Sequence, residues 1–196
     1  MQVSSLEGYR RWAESYDDEP NPIVSLIDRH LEIPSGLVID VGCGTSRRGG
    51  FGADLSPEML ARSANKGRVA QADARRLPFR HAAADTALCI LALGYIQPAS
   101  AVMAELRRIT RPGGVIIAAD LHPAAVAAGW KRSFRVGDTV YEIETYPYEL
   151  DDDGLEQSRD LYFGEPERLI YAQAGKTALF DQLCTTPAVW MRRWRR

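Results

Sequence analysis

The sequence predicts an α/β protein in which a mostly parallel β-sheet is covered by helices on both faces. Short apolar runs end at Gly, Pro or Asp and alternate with segments of helical spacing, which is typical of a doubly wound sheet. Apolar residues make up 45% of the chain and charged residues 26%, which is average for globular proteins. At 196 residues, the chain is therefore expected to fold as one domain around one core.

The first two strands are predicted at residues 36–41 and 51–54. The first is rich in β-branched residues and uninterrupted until its closing glycine, which is typical of a strand buried on both faces. A helix is predicted to begin after the second strand and to run to about residue 65. Ser56 is suited to the N-cap of this helix and Pro57 to its first helical position.

The remaining elements alternate regularly up to residue 123 and less regularly beyond it. Val102, Leu106 and Ile109 form one apolar stripe in the helix predicted between the fourth and fifth strands. The predicted strands are 68–71, 86–91, 114–119, 139–148, 157–163 and 188–194, and the predicted helices are 98–110, 124–132 and 165–174.

Charge and cysteine usage argue against several classes of protein. Lys and Arg number 24 against 26 Asp and Glu, so the net charge of −2 offers no global field for a nucleic-acid backbone. No apolar run approaches the roughly 20 residues of a membrane-spanning helix, and the polar N-terminus lacks the features of a secretory signal. We therefore expect a cytoplasmic protein without membrane contact. The three cysteines are widely spaced, so neither a disulfide framework nor a metal site is expected.

The most informative local pattern joins the first two strands. Asp40, Gly42 and Gly44 close the first strand, and Asp54 ends the second. Glycines let a ligand approach the backbone, and an acid at the tip of the next strand can accept two hydrogen bonds from a ribose diol. A nicotinamide dinucleotide site would need a third glycine where Arg47 stands. The pattern therefore predicts a different nucleoside ligand.

Five segments in a fixed order resemble the class I S-adenosylmethionine-dependent methyltransferases, specifically their small-molecule branch. The resemblance extends from about residue 8 to residue 123. The five segments are VIDVGCGT from Val38, ADLSPEML from Ala53, ADARRLPF from Ala72, DTALCILALGYI from Asp85 and ELRRITRPGGVIIAADLHP from Glu105.

The resemblance implies a Rossmann-like, three-layer fold with a seven-stranded, mostly parallel sheet. It also implies transfer of a methyl group from S-adenosylmethionine to a small-molecule metabolite, with S-adenosylhomocysteine as the other product. Two alternatives stay open: a protein that binds these nucleosides without methyl transfer, and a methyltransferase that binds RNA through its terminal arginines. The Asn-Pro-Pro-aromatic arrangement of base-methylating relatives does not occur after the fourth strand, which disfavours nucleic acid.

The cofactor contacts that the resemblance implies follow the strand ends. Asp73 has an alternative interpretation as a helix N-cap, and Leu91 as a core residue. The implied contacts are Asp40, Gly42, Cys43 and Gly44 for the methionine moiety, Asp54 for the ribose, Leu55 and Ser56 beside the adenine, Asp73 and Ala74 at the adenine amino group and ring nitrogen, and Leu91 beside the methionine amino group.

Tyr16 and His122 are the candidate catalytic residues. Similar enzymes carry a Tyr-Asp pair in a leading helix that folds over the cofactor, which would bring Tyr16 to the methionine carboxylate or the acceptor. Tyr9, Trp12 and Tyr16 also recur at helical spacing, so a buried stripe is an equal interpretation. His122 follows the fifth strand at the carboxyl edge and is suited to remove a proton from a hydroxyl acceptor, unless it packs the turn before Pro123.

The segment between the first two strands departs from the family. Thr45 to Gly50 stand where relatives insert a helix of several turns, and these six residues cannot complete two turns. We therefore expect a turn there, with the uncovered sheet face packed against the N-terminal helices or against a second copy in a homodimer.

The resemblance also implies that three segments of the single domain have different roles. Residues 1–33 are expected to form a helical cap, residues 34–123 the cofactor-binding core, and residues 124–196 the acceptor side. The aromatic residues expected to line the acceptor pocket are Tyr141, Tyr146, Tyr148, Tyr162 and Phe163.

Overall fold

Within residues 1–18 and 20–196, which the computed structural model describes, the chain forms seven helices and ten strands. The helices are Ser5–Trp12 (α1), Pro22–His30 (α2), Pro57–Ala61 (α3), Ala99–Ile109 (α4), Pro123–Ala127 (α5), Glu165–Gln173 (α6) and Thr177–Leu183 (α7). The strands are Gln2–Val3 (β1), Val38–Val41 (β2), Phe51–Asp54 (β3), Val69–Gln71 (β4), Ala84–Ile90 (β5), Thr110–Leu121 (β6), Ser133–Val136 (β7), Thr139–Ile143 (β8), Leu155–Leu161 (β9) and Val189–Arg195 (β10).

Seven of these strands form the main sheet, in the order β4-β3-β2-β5-β6-β10-β9. The five strands from β4 to β6 pair in parallel, whereas β10 runs antiparallel to both β6 and β9. The predicted seven-stranded, mostly parallel sheet is therefore confirmed. Because β2 and β3 point the same way, their carboxyl ends, with the glycines and Asp54, meet at one edge of the sheet.

The central strands of the main sheet are buried on both faces, as their apolar side chains require. Along β5, Ala87 and Cys89 pack into one hydrophobic cluster with α4, while Leu88 and Ile90 pack into a second cluster on the opposite face. The second cluster includes apolar side chains of α2 and α7. Helices therefore cover both faces, in the three layers expected of this class.

The crossover between β2 and β3 contains no helix. Residues 45–50 form consecutive turns, and Gly49 and Gly50 both adopt the left-handed conformation, with φ of 71° and 75°. The neighbouring sheet face is instead covered by α2, whose Leu26 and Ile27 are fully buried in the cluster that includes Val38. The expected turn is confirmed, and an N-terminal helix of the same chain provides the cover.

The segments beyond residue 123 differ most from the sequence prediction. The helix predicted at 124–132 ends at Ala127, because Gly129 turns the chain with a φ of 88°. The strand predicted at 139–148 ends at Ile143 and joins a separate three-stranded sheet of order β1-β8-β7. Neither β7 nor α7 was predicted. In the regular half, the helix predicted to reach residue 65 ends at Ala61.

The terminal arginines pair with acidic side chains. Arg193 and Arg195 lie 3.3 and 2.8 Å from the carboxylate of Glu156, and Arg192 lies 3.9 Å from Asp152. This pairing reduces the positive charge that the RNA alternative needs. Among the described helices, none is long and apolar enough to cross a membrane.

Candidate active site

A cavity of about 330 Å³ opens at the carboxyl ends of β2, β3 and β5. We call it the glycine-loop cavity, because the loop Gly42–Thr45 forms part of its wall. Of the predicted cofactor contacts, all except Asp40 line this cavity: Gly42, Cys43, Gly44, Asp54, Leu55, Ser56, Asp73, Ala74 and Leu91.

The glycine loop is held against β3 by backbone hydrogen bonds. The N–H groups of Gly42 and Cys43 both donate to the carbonyl of Ala53, at 2.8 and 3.1 Å. Gly42 and Gly44 adopt left-handed conformations, with φ of 72° and 54°. A Cβ on Gly42 would lie 2.6 Å from the Cβ of Ala92, so a side chain there would force the loop away from the end of β5.

Asp54 is held at the tip of β3 by two hydrogen bonds and can accept further ones. Its Oδ2 accepts from the N–H of Gly44 and its Oδ1 from the N–H of Ser56, each at 2.8 Å. Burial raises the pKa of Asp54, and these two N–H groups oppose the rise. Since each carboxylate oxygen has two acceptor sites, both oxygens can still accept a hydrogen bond from a hydroxyl pair. Ser56 also caps α3 as predicted, accepting from the N–H of Met59.

Asp73 lines the far end of the cavity in an ion pair with Arg75. The two side chains approach to 2.6 Å, and Arg75 also donates to the carbonyl of Gln97 at 2.7 Å. The hydrogen bond from Arg75 holds the pKa of Asp73 below its usual value. The N–H of Arg75 donates to Asp73 as in an N-cap, but a turn follows rather than a helix. The helix N-cap alternative is therefore not what the structure has.

Asp40 lies beneath the loop rather than in the cavity lining. It is 2% exposed, and neither carboxylate oxygen has a hydrogen-bond partner among the described residues. Burial raises the pKa of Asp40 to about 6, and the guanidinium of Arg48 opposes the rise. Any effect of Asp40 on a ligand therefore passes through the loop above it.

Leu91 joins the end of β5 to the cavity in a strained conformation. Its φ of 59° is unusual for a leucine, and its N–H donates to the carbonyl of Ala119 at 2.7 Å. The carbonyl of Leu91 accepts from Arg132 at 2.9 Å. The strain is thus balanced by hydrogen bonds from two other segments, and the backbone of Leu91 forms part of the cavity wall.

Tyr16 belongs to the aromatic stripe of the N-terminal segment and also faces a cavity. Its ring packs edge-on to Trp12 at a centroid distance of 4.9 Å and also lines the glycine-loop cavity. Burial raises the pKa of Tyr16 to about 12, so its hydroxyl stays a hydrogen-bond donor at neutral pH. Tyr9 lines the same wall and donates to the hydroxyl of Tyr95 at 2.9 Å.

A second cavity, of about 790 Å³, opens beside the first at the ends of β6, β9 and β10. We call it the aromatic cavity after the four rings in its wall. Tyr146 belongs to the lining of both cavities, so the two adjoin. The four rings are Trp130, Tyr146, Tyr148 and Trp190.

A buried ion pair also belongs to the wall of the aromatic cavity. Arg132 pairs with Asp120, whose Oδ2 accepts from the hydroxyl of Tyr148 at 3.0 Å and from the N–H of Gly94 at 2.8 Å. The guanidinium of Arg132 also lies over the ring of Tyr95, 4.5 Å from its centroid. Since Tyr95 lines the glycine-loop cavity, Arg132 connects the walls of the two cavities.

His122 lies in the aromatic cavity, but both of its ring nitrogens have neighbours. Nδ1 accepts from the N–H of Ala124 at 3.0 Å and so caps α5, and Nε2 lies 3.4 Å from Oδ1 of Asp160. In this arrangement Nε2 carries the proton and Nδ1 has no free lone pair in the ring plane. To act as a base, His122 would first have to break the hydrogen bond from Ala124 that caps α5.

Two of the five aromatic residues expected to line an acceptor pocket lie in the wall of the aromatic cavity. Tyr146 and Tyr148 line the aromatic cavity. Tyr141 is instead stacked on Phe134 in the small sheet, Phe163 is buried against Trp130, and Tyr162 is 48% exposed. Tyr141, Tyr162 and Phe163 therefore lie outside the lining of the aromatic cavity.

Comparisons with known proteins find similarity to methyltransferases. A family model described as a methyltransferase domain matches residues 39–118, which include the glycine loop, Asp54 and Asp73. Over 200 aligned residues the chain is 28% identical to the malonyl-[acyl-carrier protein] O-methyltransferase of Pectobacterium atrosepticum, covering 95% of this chain and 77% of that protein. It is also 33% identical over 117 residues to a sterol 4-C-methyltransferase of Caenorhabditis elegans, covering 48% of this chain but only 34% of that protein.

The fold agrees with these sequence relatives. An S-adenosylmethionine-dependent methyltransferase from Mesorhizobium loti superposes with a TM-score of 0.61 at 18% identity, covering 90% of this chain and 98% of that one. The methyltransferase-domain match over residues 39–118, the sequence relatives and the fold together support a class I S-adenosylmethionine-dependent methyltransferase. Its cofactor is S-adenosylmethionine, and S-adenosylhomocysteine is the product.

The residues of this methyltransferase fit that cofactor. The glycine loop exposes backbone at the end of β2, where a Cβ on Gly42 would collide, and Asp54 keeps acceptor sites for a ribose. Sequence reasoning missed Arg48, Arg132 and Asp120, all of which line a cavity. Of these, only Asp120 had a signal in the sequence, since it is an acid at the carboxyl end of a strongly apolar strand.

Proposed function

We propose that this methyltransferase methylates a small molecule held in the aromatic cavity, while the glycine-loop cavity holds the cofactor. The observation that supports this most is the shared wall: Tyr146 lines both cavities, and both lie at the carboxyl edge of one sheet. A volume of about 790 Å³ with aromatic walls and a few polar groups is typical of a small-molecule site. In this proposal, residues 34–123 form most of the cofactor cavity, with Tyr9 and Tyr16 of the N-terminal segment, and residues 124–196 form most of the acceptor cavity, with Asp120 and His122.

On the cofactor side, each residue has a simple role. Asp54 accepts the two ribose hydroxyls, Asp73 and Ala74 lie at the adenine, and Leu91 lies at the methionine amino group. The glycine loop with Cys43 lets the methionine moiety approach the backbone, and Leu55 and Ser56 border the adenine. The cofactor supplies a methyl group that is already activated, so the protein mainly aligns the acceptor and excludes water.

The acceptor side favours a molecule that needs little help from a base. His122 caps α5 through Nδ1, and Tyr16 stays protonated near neutral pH. A carboxylate oxygen, which is already ionised, or a neutral amine nitrogen attacks the methyl group without prior loss of a proton, so alignment alone suffices for it. The similarity to an enzyme named as an O-methyltransferase supports oxygen as the acceptor atom. The net charge of −2 and the paired terminal arginines support a small molecule over a nucleic acid.

Filling the aromatic cavity tests this assignment. Val126 lines the cavity and is 50% exposed, so Val126→Trp should obstruct acceptor binding without disturbing the core. We expect turnover to S-adenosylhomocysteine with a panel of carboxylic acids, phenols, alcohols and amines, and a KM for the active acceptor roughly tenfold higher in the variant. The dissociation constant of S-adenosylhomocysteine should not change.

The matched control is Val136→Trp, an exposed valine at the end of β7 outside both cavity linings. Its kinetics should equal those of the wild type. An unchanged acceptor KM in Val126→Trp, with normal turnover, would place the acceptor elsewhere. Absence of turnover with every acceptor class, despite binding of the cofactor, would contradict a small-molecule substrate of these classes.

A further inference from the structure

The shortened crossover changes the electrostatics of the glycine-loop cavity. In doubly wound folds, the helix after the first strand directs its N-terminus, with a partial positive charge and free N–H groups, at an anionic part of the ligand. Here residues 45–50 form turns, so no helix N-terminus follows the glycine loop. The fold therefore lacks its usual anion-binding element at this end of the cavity.

Two arginines stand where that helix would begin. Arg47 and Arg48 belong to the turns, and both line the glycine-loop cavity beside Thr45. The side chain of Arg48 is only 13% exposed, whereas that of Arg47 is 45% exposed. A buried guanidinium without strong pairing is costly, so the position of Arg48 calls for an explanation.

Asp28 of α2 holds Arg48 in place. Nη2 of Arg48 donates to Oδ1 of Asp28 at 2.9 Å, and Arg47 lies 3.9 Å from Oδ2 of the same carboxylate. Nε of Arg48 is buried and has no hydrogen-bond partner among the residues that the structure describes. One carboxylate thus faces two guanidinium groups, and Nε of the more buried arginine, Arg48, is still free to donate.

We propose that Arg48, positioned by Asp28, binds the methionine carboxylate of the cofactor. This proposal rests on the proposed placement of the cofactor, with the ribose at Asp54 and the methionine moiety at the glycine loop. With the methionine moiety at the glycine loop, the carboxylate of the cofactor lies away from Asp54 and near Arg47 and Arg48, which line the cavity beside that loop. Guanidinium groups match carboxylates in geometry, so one arginine replaces the missing N–H groups of a helix.

Neighbouring groups are consistent with this role. The positive charge of Arg48 opposes the rise in the pKa values of Asp40 beneath the loop and of Tyr16 across the cavity. Arg48 therefore lies within electrostatic reach of both sides of the methionine end. Arg48 donates a hydrogen bond to Asp28, whereas neither carboxylate oxygen of Asp40 accepts one from it.

Calorimetry with two matched ligands tests the proposal. S-adenosylhomocysteine carries the carboxylate, and its decarboxylated counterpart lacks only that group. For Arg48→Met, we expect the dissociation constant of S-adenosylhomocysteine to rise roughly 10- to 100-fold, the usual effect of losing one charge-assisted hydrogen bond. The decarboxylated ligand should bind the variant and the wild type equally.

Two further variants keep the result interpretable. Arg48→Lys keeps the positive charge but loses the planar guanidinium, so it should weaken S-adenosylhomocysteine binding less than Arg48→Met does. It also replaces Arg48→Met in the test if that variant does not fold. Arg62→Met changes an exposed arginine outside the cavity lining and should bind both ligands normally.

The possible outcomes separate the hypotheses. Equal binding of S-adenosylhomocysteine by Arg48→Met and the wild type would overturn the role of Arg48. An equal loss for both ligands would also overturn it, because Arg48 would then act only through the loop structure. A change confined to the acceptor KM would assign Arg48 to the acceptor instead. Failure of the wild type to bind either ligand would contradict the placement of the cofactor itself.

Discussion

The glycine-loop cavity and the aromatic cavity lie side by side at the carboxyl edge of one sheet, and they are built in different ways. The first is shaped mainly by backbone: left-handed glycines, the strand end at Asp54 and the turn at Leu91. The second is shaped by side chains from late elements, with four aromatic rings and the Asp120–Arg132 pair. A cavity made of backbone is specified by a short local motif, whereas a cavity made of side chains requires distant segments to meet.

The two regions also differ in the number of partners that a nearby buried acid has. Asp120 beside the aromatic cavity has a buried cation, a tyrosine hydroxyl and a backbone N–H as partners. Asp40 beneath the glycine loop has none among the described residues. The first acid is stabilised as an anion by its own network, whereas the second is destabilised as an anion unless a charge such as Arg48 offsets its burial.

Breaking the buried pair should have the largest effect. Arg132→Met leaves Asp120 buried without its cation, and losing one partner of such a pair costs about 3–5 kcal/mol in the free energy of unfolding. Urea unfolding followed by circular dichroism measures this. The double variant Asp120→Asn with Arg132→Met should recover part of the loss, because no uncompensated charge remains.

The neighbouring Lys131 is the control for that prediction. It pairs with Glu142 at the surface, where its side chain is 61% exposed, so Lys131→Met should cost less than about 1 kcal/mol. Equal stabilities of Arg132→Met and Lys131→Met would show that the Asp120–Arg132 pair is not a main stabilising feature of the aromatic cavity.

Removing Asp54 should have the next largest effect, and its main readout is the binding of S-adenosylhomocysteine. Asp54→Ala loses two charge-assisted hydrogen bonds, worth about 1.5–3 kcal/mol each before desolvation, so S-adenosylhomocysteine should bind roughly 100-fold more weakly. Calorimetry gives the constant, and Asp138→Ala in the exposed turn between β7 and β8 is the control. An unchanged dissociation constant in folded Asp54→Ala would remove Asp54 from the site.

Asp40 should give the glycine-loop region its own pH dependence. Because burial raises the pKa of Asp40 from 3.8 to about 6, the folded protein binds more protons than the unfolded chain between these values. The contribution of Asp40 to stability is therefore fully present below the unfolded pKa of 3.8, is lost by about 3 kcal/mol in total as the pH rises through 6, and is constant above about pH 7. Arg48 lowers this pKa, while Asp54 and Asp28 raise it.

The variant Asp40→Asn isolates this effect. It cannot ionise, so its stability relative to the wild type should increase between pH 4 and pH 6 and then level off. Unfolding free energies of both proteins in urea at four pH values give the comparison. Parallel curves for the two proteins would mean that Asp40 is not destabilised as an anion.

The smallest expected effect concerns His122. Its side chain caps α5, so His122→Ala should lower the free energy of unfolding by about 1 kcal/mol, whereas His122→Asn keeps a capping acceptor and should lose less. Because Nδ1 is engaged, we expect kcat to stay within a few-fold of the wild type in both variants. A fall in kcat of roughly 10²- to 10⁴-fold in both would instead identify His122 as a general base.

The sequence by itself determined the main sheet and the glycine loop. The β-branched runs, the glycines at 42 and 44 and the capping Ser56 act within a few residues of one another, so their consequences can be predicted from local rules, including the turn at residues 45–50. Strand boundaries moved by only a few residues in this half, where each apolar run fits a strand covered on both faces.

Only the tertiary structure decided the rest. Residues 139–148 have strand-forming side chains, but pairing of β8 with β1 and β7 moved part of them into a separate sheet, which no local pattern specifies. Arg132 and Asp120 lie 12 positions apart on either side of a short helix, and Asp28 and Arg48 are separated by a strand. Such pairs form because the packed elements bring side chains from different segments together, which no local pattern specifies.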